Sequence, residues 1–389
     1  MNAASGSDRS GRPYDPHHSG RAKSFLPRTI LYACLLGAVA VAAFGVFSVG
    51  KERAAARASQ DRLVAYHGLT PTTQKRLAPE FTDQDGGRLA DPPSDPKLLL
   101  DPETLILAHY TDADADTQLV DWEAFQAHLA KATGKKIVGQ EYLNSADDVA
   151  AIKAGEIHIV ALHAADAPYV VNNVGFVPFA VLGTEDGAHG NHLVIAVSAK
   201  SQIKTLDDVR GHSLTCTVPE SITGYRAAIV VLAEKTGMRP DVDYFISFSH
   251  GQKRSVFGLA NGEYEVAALS DDKLQSKLKK GSVEAADVRV IYESEVIPRL
   301  TIGYVYNLNP ELAAVVKGAA LDFANDGGAE DESTGRPMRF TTSDYQKDFE
   351  FVRQIDDSFD PRFYKRPKTV PPPAPAVVPE ALDAQPAAK

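Results

Sequence analysis

Residues 213–235 read SLTCTVPESITGYRAAIVVLAEK, and their hydroxyls stand where an anion can be held. From Ser213 to Thr217 polar and apolar residues alternate in β-branched company. Pro219 breaks that strand, and from Tyr225 the apolar Ala228, Ile229, Val231 and Leu232 recur at helical spacing. The loop 219–224 therefore sits at a helix N-terminus. The first turn of a helix leaves unpaired backbone N–H groups and a partial positive charge, and the Ser221 and Thr223 hydroxyls add donors without adding charge. Such a set solvates a tetrahedral oxyanion. Gly224 lets a backbone approach a ligand closely. Serine and threonine are also ordinary helix caps, so capping by Ser221 or Thr223 is the competing reading.

The elements that must carry this loop follow from periodicity. From residue 104, strands at 104–108, 136–142 and 157–162 alternate with helices at 122–132 and 147–154. This alternation implies βαβ units, a largely parallel sheet and helices on its faces. Strands at 176–182 and 192–198 and a short helix at 206–209 lead to the 213–217 strand. The pattern then repeats, with strands at 244–248, 266–269 and 288–292 and helices at 253–260 and 272–279. That makes a second lobe. A strand at 301–306 follows, then a helix at 310–325 with Asn309 as cap and Pro310 at its first position, and a final helix around 345–355.

The chain has 389 residues, 44% of them hydrophobic, which is enough to bury two modest cores. A net charge of −10 argues against nucleic acid or an anionic membrane surface as partner, since both need a basic face. Cys34 lies in an apolar run and Cys216 ends a strand, so no disulfide between them is expected. Without a Cys/His cluster at ligand spacing, neither a structural metal nor a cofactor is expected. There is no G-x-S-x-G, H-E-x-x-H or P-loop pattern, so an enzyme is not expected either.

Residues 1–28 read as a disordered cytoplasmic tail. The uncharged run 29–50 is as long as a bilayer core is thick. It is read as an uncleaved transmembrane anchor instead of a signal peptide, whose apolar region is shorter. Basic residues flank it on both sides, and Arg9 and Arg12 tip the N-terminus towards the cytoplasm. Residues 51–101 read as a stalk and a Pro/Asp-punctuated linker, 102–366 as the folded domain, and 367–389 as a disordered Pro/Ala-rich tail.

The order of elements from 104 to 355 resembles a type II periplasmic binding protein: an α/β fold of two lobes joined by two crossing strands. Three segments resemble more narrowly the phosphate, phosphite and phosphonate binding proteins of ABC transporters. Residues 218–225 are similar to that family's hydroxyl-rich loop. Ser249-His250, with Ser255-Val256, Leu259-Ala260, Asn261-Gly262 and Glu265-Val266-Ala267-Ala268, resembles its His-containing segment and following strand. Residues 289–294 leading to Ile297-Pro298 resemble the recrossing to the first lobe.

The resemblance implies that Ser221 and Thr223, with the backbone N–H groups of Thr223 and Gly224, donate to oxyanion oxygens, while Ile222 replaces a third hydroxyl. His250 faces the same ligand from a second helix N-terminus, or is a surface neighbour of a cap. Ser270, Asp271 and Asp272 are the candidates for an acceptor of a protonated ligand oxygen, Asp271 first. In lobe 1 the family's usual tyrosine is absent; His163 takes its place, and Tyr110 or Thr111 completes the wall. Arg299 stands where aminophosphonate binders carry an acid, and pairs either with a more anionic ligand or in a surface salt bridge.

The resemblance, with the apolar run 29–50, implies a monomeric, extracytoplasmic solute-binding domain, held at the inner membrane by a single-pass anchor. Lobe 1 (about 102–192 and 300–366) and lobe 2 (about 198–296) close on a small oxyanion for an ABC permease. The alternative is a ligand-sensing or adaptor domain serving another membrane protein.

Overall fold

The computed structural model describes residues 36, 46, 47, 51, 53–110, 119–141, 145–185, 190–331 and 334–360. The expected tails at 1–28 and 367–389, and the apolar run 29–50 apart from Leu36, Val46 and Phe47, lie outside the described residues. Among the described residues no helix is long and apolar enough to cross a membrane. Residues 53–66 are helical.

The first sheet grows from aliphatic strands with helical crossovers. Strands β1 (Thr104–His109), β2 (Lys136–Glu141) and β3 (Ile159–His163) run parallel in the order β2-β1-β3. Helix α1 (Trp122–Thr133) connects the first two; its N-cap Asp121 accepts from Ala124 N–H, and Gly134 ends it at φ 67°. Helix α2 (Ser145–Lys153) connects β2 to β3, and α3 (Ala167–Val174) leads into β4 (Phe176–Thr184).

The chain then crosses to a second sheet. Its strands are β5 (Gly190–Ser198), β6 (Ser213–Cys216), β7 (Phe245–Phe248), β8 (Val266–Ser270) and β9 (Val288–Pro298), ordered β7-β6-β8-β5-β9. β6 pairs in parallel with β7 and β8, while β5 runs antiparallel to β8 and β9. Helices α4 (Ala227–Thr236), α5 (Gln252–Asn261) and α6 (Asp271–Lys279) cover it.

β10 (Leu300–Val305) returns to the first sheet and inserts antiparallel between β3 and β4. Helix α7 (Pro310–Asp322) follows, capped by Asn309 as expected, and then the edge strand β11 (Met338–Thr342), so the order is β11-β4-β10-β3-β1-β2. Helices α8 (Tyr345–Asp348) and α9 (Glu350–Asp357) are the last among the described residues, where one helix was expected. Each sheet has three parallel strands joined by two βαβ steps, with an antiparallel strand supplied by a crossing beside them, β10 in the first sheet and β5 in the second. At one crossing Gly190 lies so close to β9 that a Cβ would meet the Ile297 carbonyl oxygen at 2.3 Å, which only glycine avoids.

Two sequence expectations are corrected. The helix expected from Tyr225 begins earlier, as a π turn at Ile222–Arg226 continuous with α4. The folded part does not begin at 102: Leu69 and Ala90 are buried, Leu69 pairs with Phe359 and Leu100 with Leu308. Proline and aspartate in that segment punctuate a strap that spends its backbone donors on the body of the protein, such as Ala78 N–H on Asn172 O at 2.7 Å.

Candidate functional site

The candidate residues gather at the C-terminal ends of the parallel strands of both sheets. In open α/β sheets that edge forms the ligand crevice, because helix N-termini and loops converge there. In lobe 2, β6 runs into Thr217 and the 219–224 loop, β7 into Ser249-His250, and β8 into Ser270-Asp271. In lobe 1, β1 runs into Tyr110 and β3 ends at His163.

The loop is held by its own backbone. Thr217 N–H donates to Gly224 O at 3.0 Å, and Arg226 N–H to Ser221 O at 3.0 Å, the spacing of a π turn. Ser221 Oγ accepts from Gly224 N–H at 2.9 Å, so Ser221 is the cap, and its own proton remains to donate. Thr223, 6% exposed, accepts from Gln252 Nε2 at 3.2 Å and likewise keeps its proton. Thr217 was read only as a strand end, yet it is 2% exposed and its Oγ1 has no hydrogen-bond partner among the described residues. Gly224 fits against it: a Cβ there would lie 2.0 Å from Thr217 Oγ1.

Gln252 was not anticipated. It opens α5, and while its amide N–H meets Thr223, its Oε1 accepts from Ser270 N–H at 2.9 Å. The visible signal was a glutamine directly after Gly251 at a helix start. His250 is exposed, sits at φ 60°, and donates its backbone N–H to Thr217 O at 3.0 Å. The left-handed backbone at a non-glycine residue turns this corner towards the 217–224 loop.

Asp271 accepts from His192 N–H at 2.7 Å. Burial pushes its carboxyl above the usual range; the His192 bond opposes that shift and the neighbouring Asp272 adds to it. Asp272, 3% exposed, accepts from Ser270 Oγ at 2.6 Å.

Arg299 does not reach into an open site. At the β9–β10 crossing its Nη1 lies 3.2 Å from Asp272 Oδ2 in lobe 2, and its Nη2 donates to Asp331 Oδ2 in lobe 1 at 2.8 Å. It therefore forms a salt bridge, the second of the two readings, buried instead of at the surface.

In lobe 1 the Tyr110 and His163 rings pack with centroids 3.9 Å apart, and Trp122 Nε1 donates to Tyr110 O at 3.1 Å. Thr111 lies outside the described residues. The two walls meet through Arg226 and Asp166: Nη2 of the first is 3.4 Å from Oδ1 of the second. Arg226 follows Gly224 by two residues and Asp166 follows His163 by three. Among the described residues no group of His, Cys, Asp and Glu is arranged to hold a metal ion.

A family model described as the periplasmic substrate-binding protein of phosphonate ABC transporters matches residues 108–347. XAC2383 from Xanthomonas citri, in its structure bound to ATP, is 14% identical, with a TM-score of 0.53 over 67% of this chain and 100% of that one. Its structure bound to chloride ion gives 0.52 over 66% and 98%, also at 14% identity. A binding protein component of an ABC phosphonate transporter, PA3383 from Pseudomonas aeruginosa, is 18% identical, with a TM-score of 0.46 over 66% and 86%. At such identities the likeness to XAC2383 concerns the fold.

Proposed function

This chain belongs to the periplasmic substrate-binding proteins of phosphonate ABC transporters, a family of solute binders and not of enzymes, and from that premise we propose that its two lobes clamp a small phosphorus oxyanion for delivery to an ABC permease. The observation that carries this reading is the π turn at Ile222–Arg226 with its surroundings. Ser221 and Thr223 each keep a hydroxyl proton to donate, and Thr217 brings a buried hydroxyl with no partner among the described residues. Neutral donors at a helix start favour an anion without a neutralising cation.

The same geometry favours phosphate, phosphite or methylphosphonate over an ammonium-bearing phosphonate. Asp271 already accepts from His192 N–H, and the Arg299 guanidinium beside Asp272 opposes a second cation there. Closure brings His163 and Tyr110 over the ligand from lobe 1, with His250 at the lobe 2 rim. The uncharged run 29–50 supports a single-pass anchor that keeps the clamp, as a monomer, on the extracytoplasmic side.

A second reading, a ligand-sensing or adaptor domain, is favoured by Arg299, whose side chain joins the lobes through Asp272 and Asp331. Thermal melting of the full chain with phosphate, phosphite, methylphosphonate, aminoethylphosphonate and sulfate separates an oxyanion-binding clamp from an adaptor that binds none of them. A ligand bound only by the folded state stabilises it by mass action, by about 2.7 kcal/mol at a hundredfold excess over Kd, and so raises the melting temperature. A rise with a phosphorus oxyanion and none with sulfate supports the clamp. No rise with any of them supports the adaptor.

A further inference from the structure

We infer that residues 67–75 form a clasp that ties lobe 2 to lobe 1 and positions the 221–226 turn, so that this segment, which precedes the family-matched region, is a third working part of the clamp. His67 is 3% exposed. Its Nδ1 lies 2.8 Å from the Tyr225 hydroxyl and its Nε2 lies 2.7 Å from Asp241 Oδ2. Tyr225 directly follows Gly224 in the π turn and is itself buried, so a bond to its hydroxyl fixes the turn that bears Ser221 and Thr223.

Asp241 completes the lobe 2 end of the clasp. Its Oδ1 accepts from Ile246 N–H at 3.1 Å, and its backbone is held at φ 56°, a strained setting for a residue other than glycine. Burial acts to raise its carboxyl pKa, but the His67 hydrogen bond and charge, with the Ile246 N–H, outweigh burial and lower it.

One residue further on, the chain is bound to the other lobe. Leu69 pairs with Phe359, Thr70 N–H donates to Ser358 O at 2.9 Å, Thr73 N–H to Asp357 O at 3.0 Å, and Lys75 N–H to Asp357 Oδ1 at 2.7 Å. Lys75 Nζ lies 3.0 Å from the buried Asp356 carboxylate. Gly68, between them, is itself held to lobe 1, its carbonyl accepting from Asp360 N–H at 2.8 Å. Two residue steps reach about 7 Å when fully extended, so lobes that part by more must release one end. Residues 70–75 grip the end of α9 with three backbone donors and a lysine, whereas His67 is held by the side chains of Tyr225 and Asp241. Opening therefore frees His67, and the release begins next to the oxyanion turn.

The test measures the distance between the lobes in the full chain with no ligand added, so it stands whether or not the oxyanion reading does. Spin labels are placed at the exposed positions of Ala314→Cys in α7 and Lys280→Cys after α6, in a Cys34→Ser background that leaves the buried Cys216 in place. The clasp predicts one short-distance population in the labelled parent. It predicts an added population about 7 Å or more longer in both His67→Ala and His67→Phe, on the scale of the two-residue reach. His67→Phe keeps a ring in the buried position while removing the bonds to both Tyr225 and Asp241, and carries the test if His67→Ala does not fold. Parent-like distances in the folded variants would overturn the inference.

Discussion

Gln252 Nε2 donates to Thr223 Oγ1 at 3.2 Å while Gln252 Oε1 accepts from Ser270 N–H at 2.9 Å, so one side chain orients a hydroxyl of the oxyanion turn against the end of β8. Thr223 accepts there and is left to donate its proton elsewhere. Gln252→Leu strips both bonds and leaves the Ser270 N–H without its partner, a loss of about 1–3 kcal/mol. Urea denaturation should show that loss together with weaker phosphate binding. An unchanged midpoint and affinity would reduce Gln252 to a surface residue.

How much of this was readable beforehand depended on the kind of signal. The alternation of aliphatic strands and amphipathic helices gave the two lobes, because β1, β3, β5 and β8 are short apolar runs. β9 was read only as far as residue 292. Glu293 and Glu295 interrupt its apolar character, and its pairing with β5 shifts register between His192 and Val194. The loop 219–224 was legible through its hydroxyls, but its π turn was not, since the extra residue is set by Thr217 packing on Gly224 and not by propensity. Arg299 was visible as a charge, but its two carboxylate partners come from residues 27 and 32 positions away in opposite directions, which only the fold brings together.

Thr217→Val tests the unpartnered hydroxyl. In the absence of ligand, replacing a buried polar group that has no partner by an isosteric methyl is neutral or stabilising by about 1 kcal/mol. If the hydroxyl serves the ligand, the same variant binds phosphate or methylphosphonate less tightly. A melting temperature that rises while affinity falls is the expected result. A lower melting temperature would mean that the hydroxyl is satisfied within the fold.

Arg299→Ala leaves Asp272 and Asp331 buried without their shared cation. Breaking one partner from such a set costs about 3–5 kcal/mol. Calorimetry should show a large drop in melting temperature that Asp331→Asn in the same background partly restores. A surface ion pair would change stability by less than about 1 kcal/mol.

Asp271 gives a dependence on pH. Its folded-state pKa lies above the ordinary value of 3.8 chiefly because burial disfavours the charged form. Its contribution is therefore fully present below that value and is lost as pH rises through the higher folded-state value. Asp271→Asn, whose side-chain oxygen still accepts from His192 N–H, removes the dependence. The difference in melting temperature, variant minus parent, should grow between pH 3 and pH 7 in favour of the variant. A constant difference would place the Asp271 carboxyl in water.

The central claim is that the turn bearing Ser221, Thr223 and Gly224 donates to an oxyanion closed between the lobes. Isothermal titration of the full chain with phosphate, phosphite and methylphosphonate, beside sulfate and beside Thr223→Val, tests it most directly. A hydrogen bond to a charged group contributes about 1.5–3 kcal/mol, so the account predicts saturable binding of a phosphorus oxyanion that weakens more than about tenfold in Thr223→Val. Binding of equal strength in parent and variant, or none with any of these anions, would contradict it.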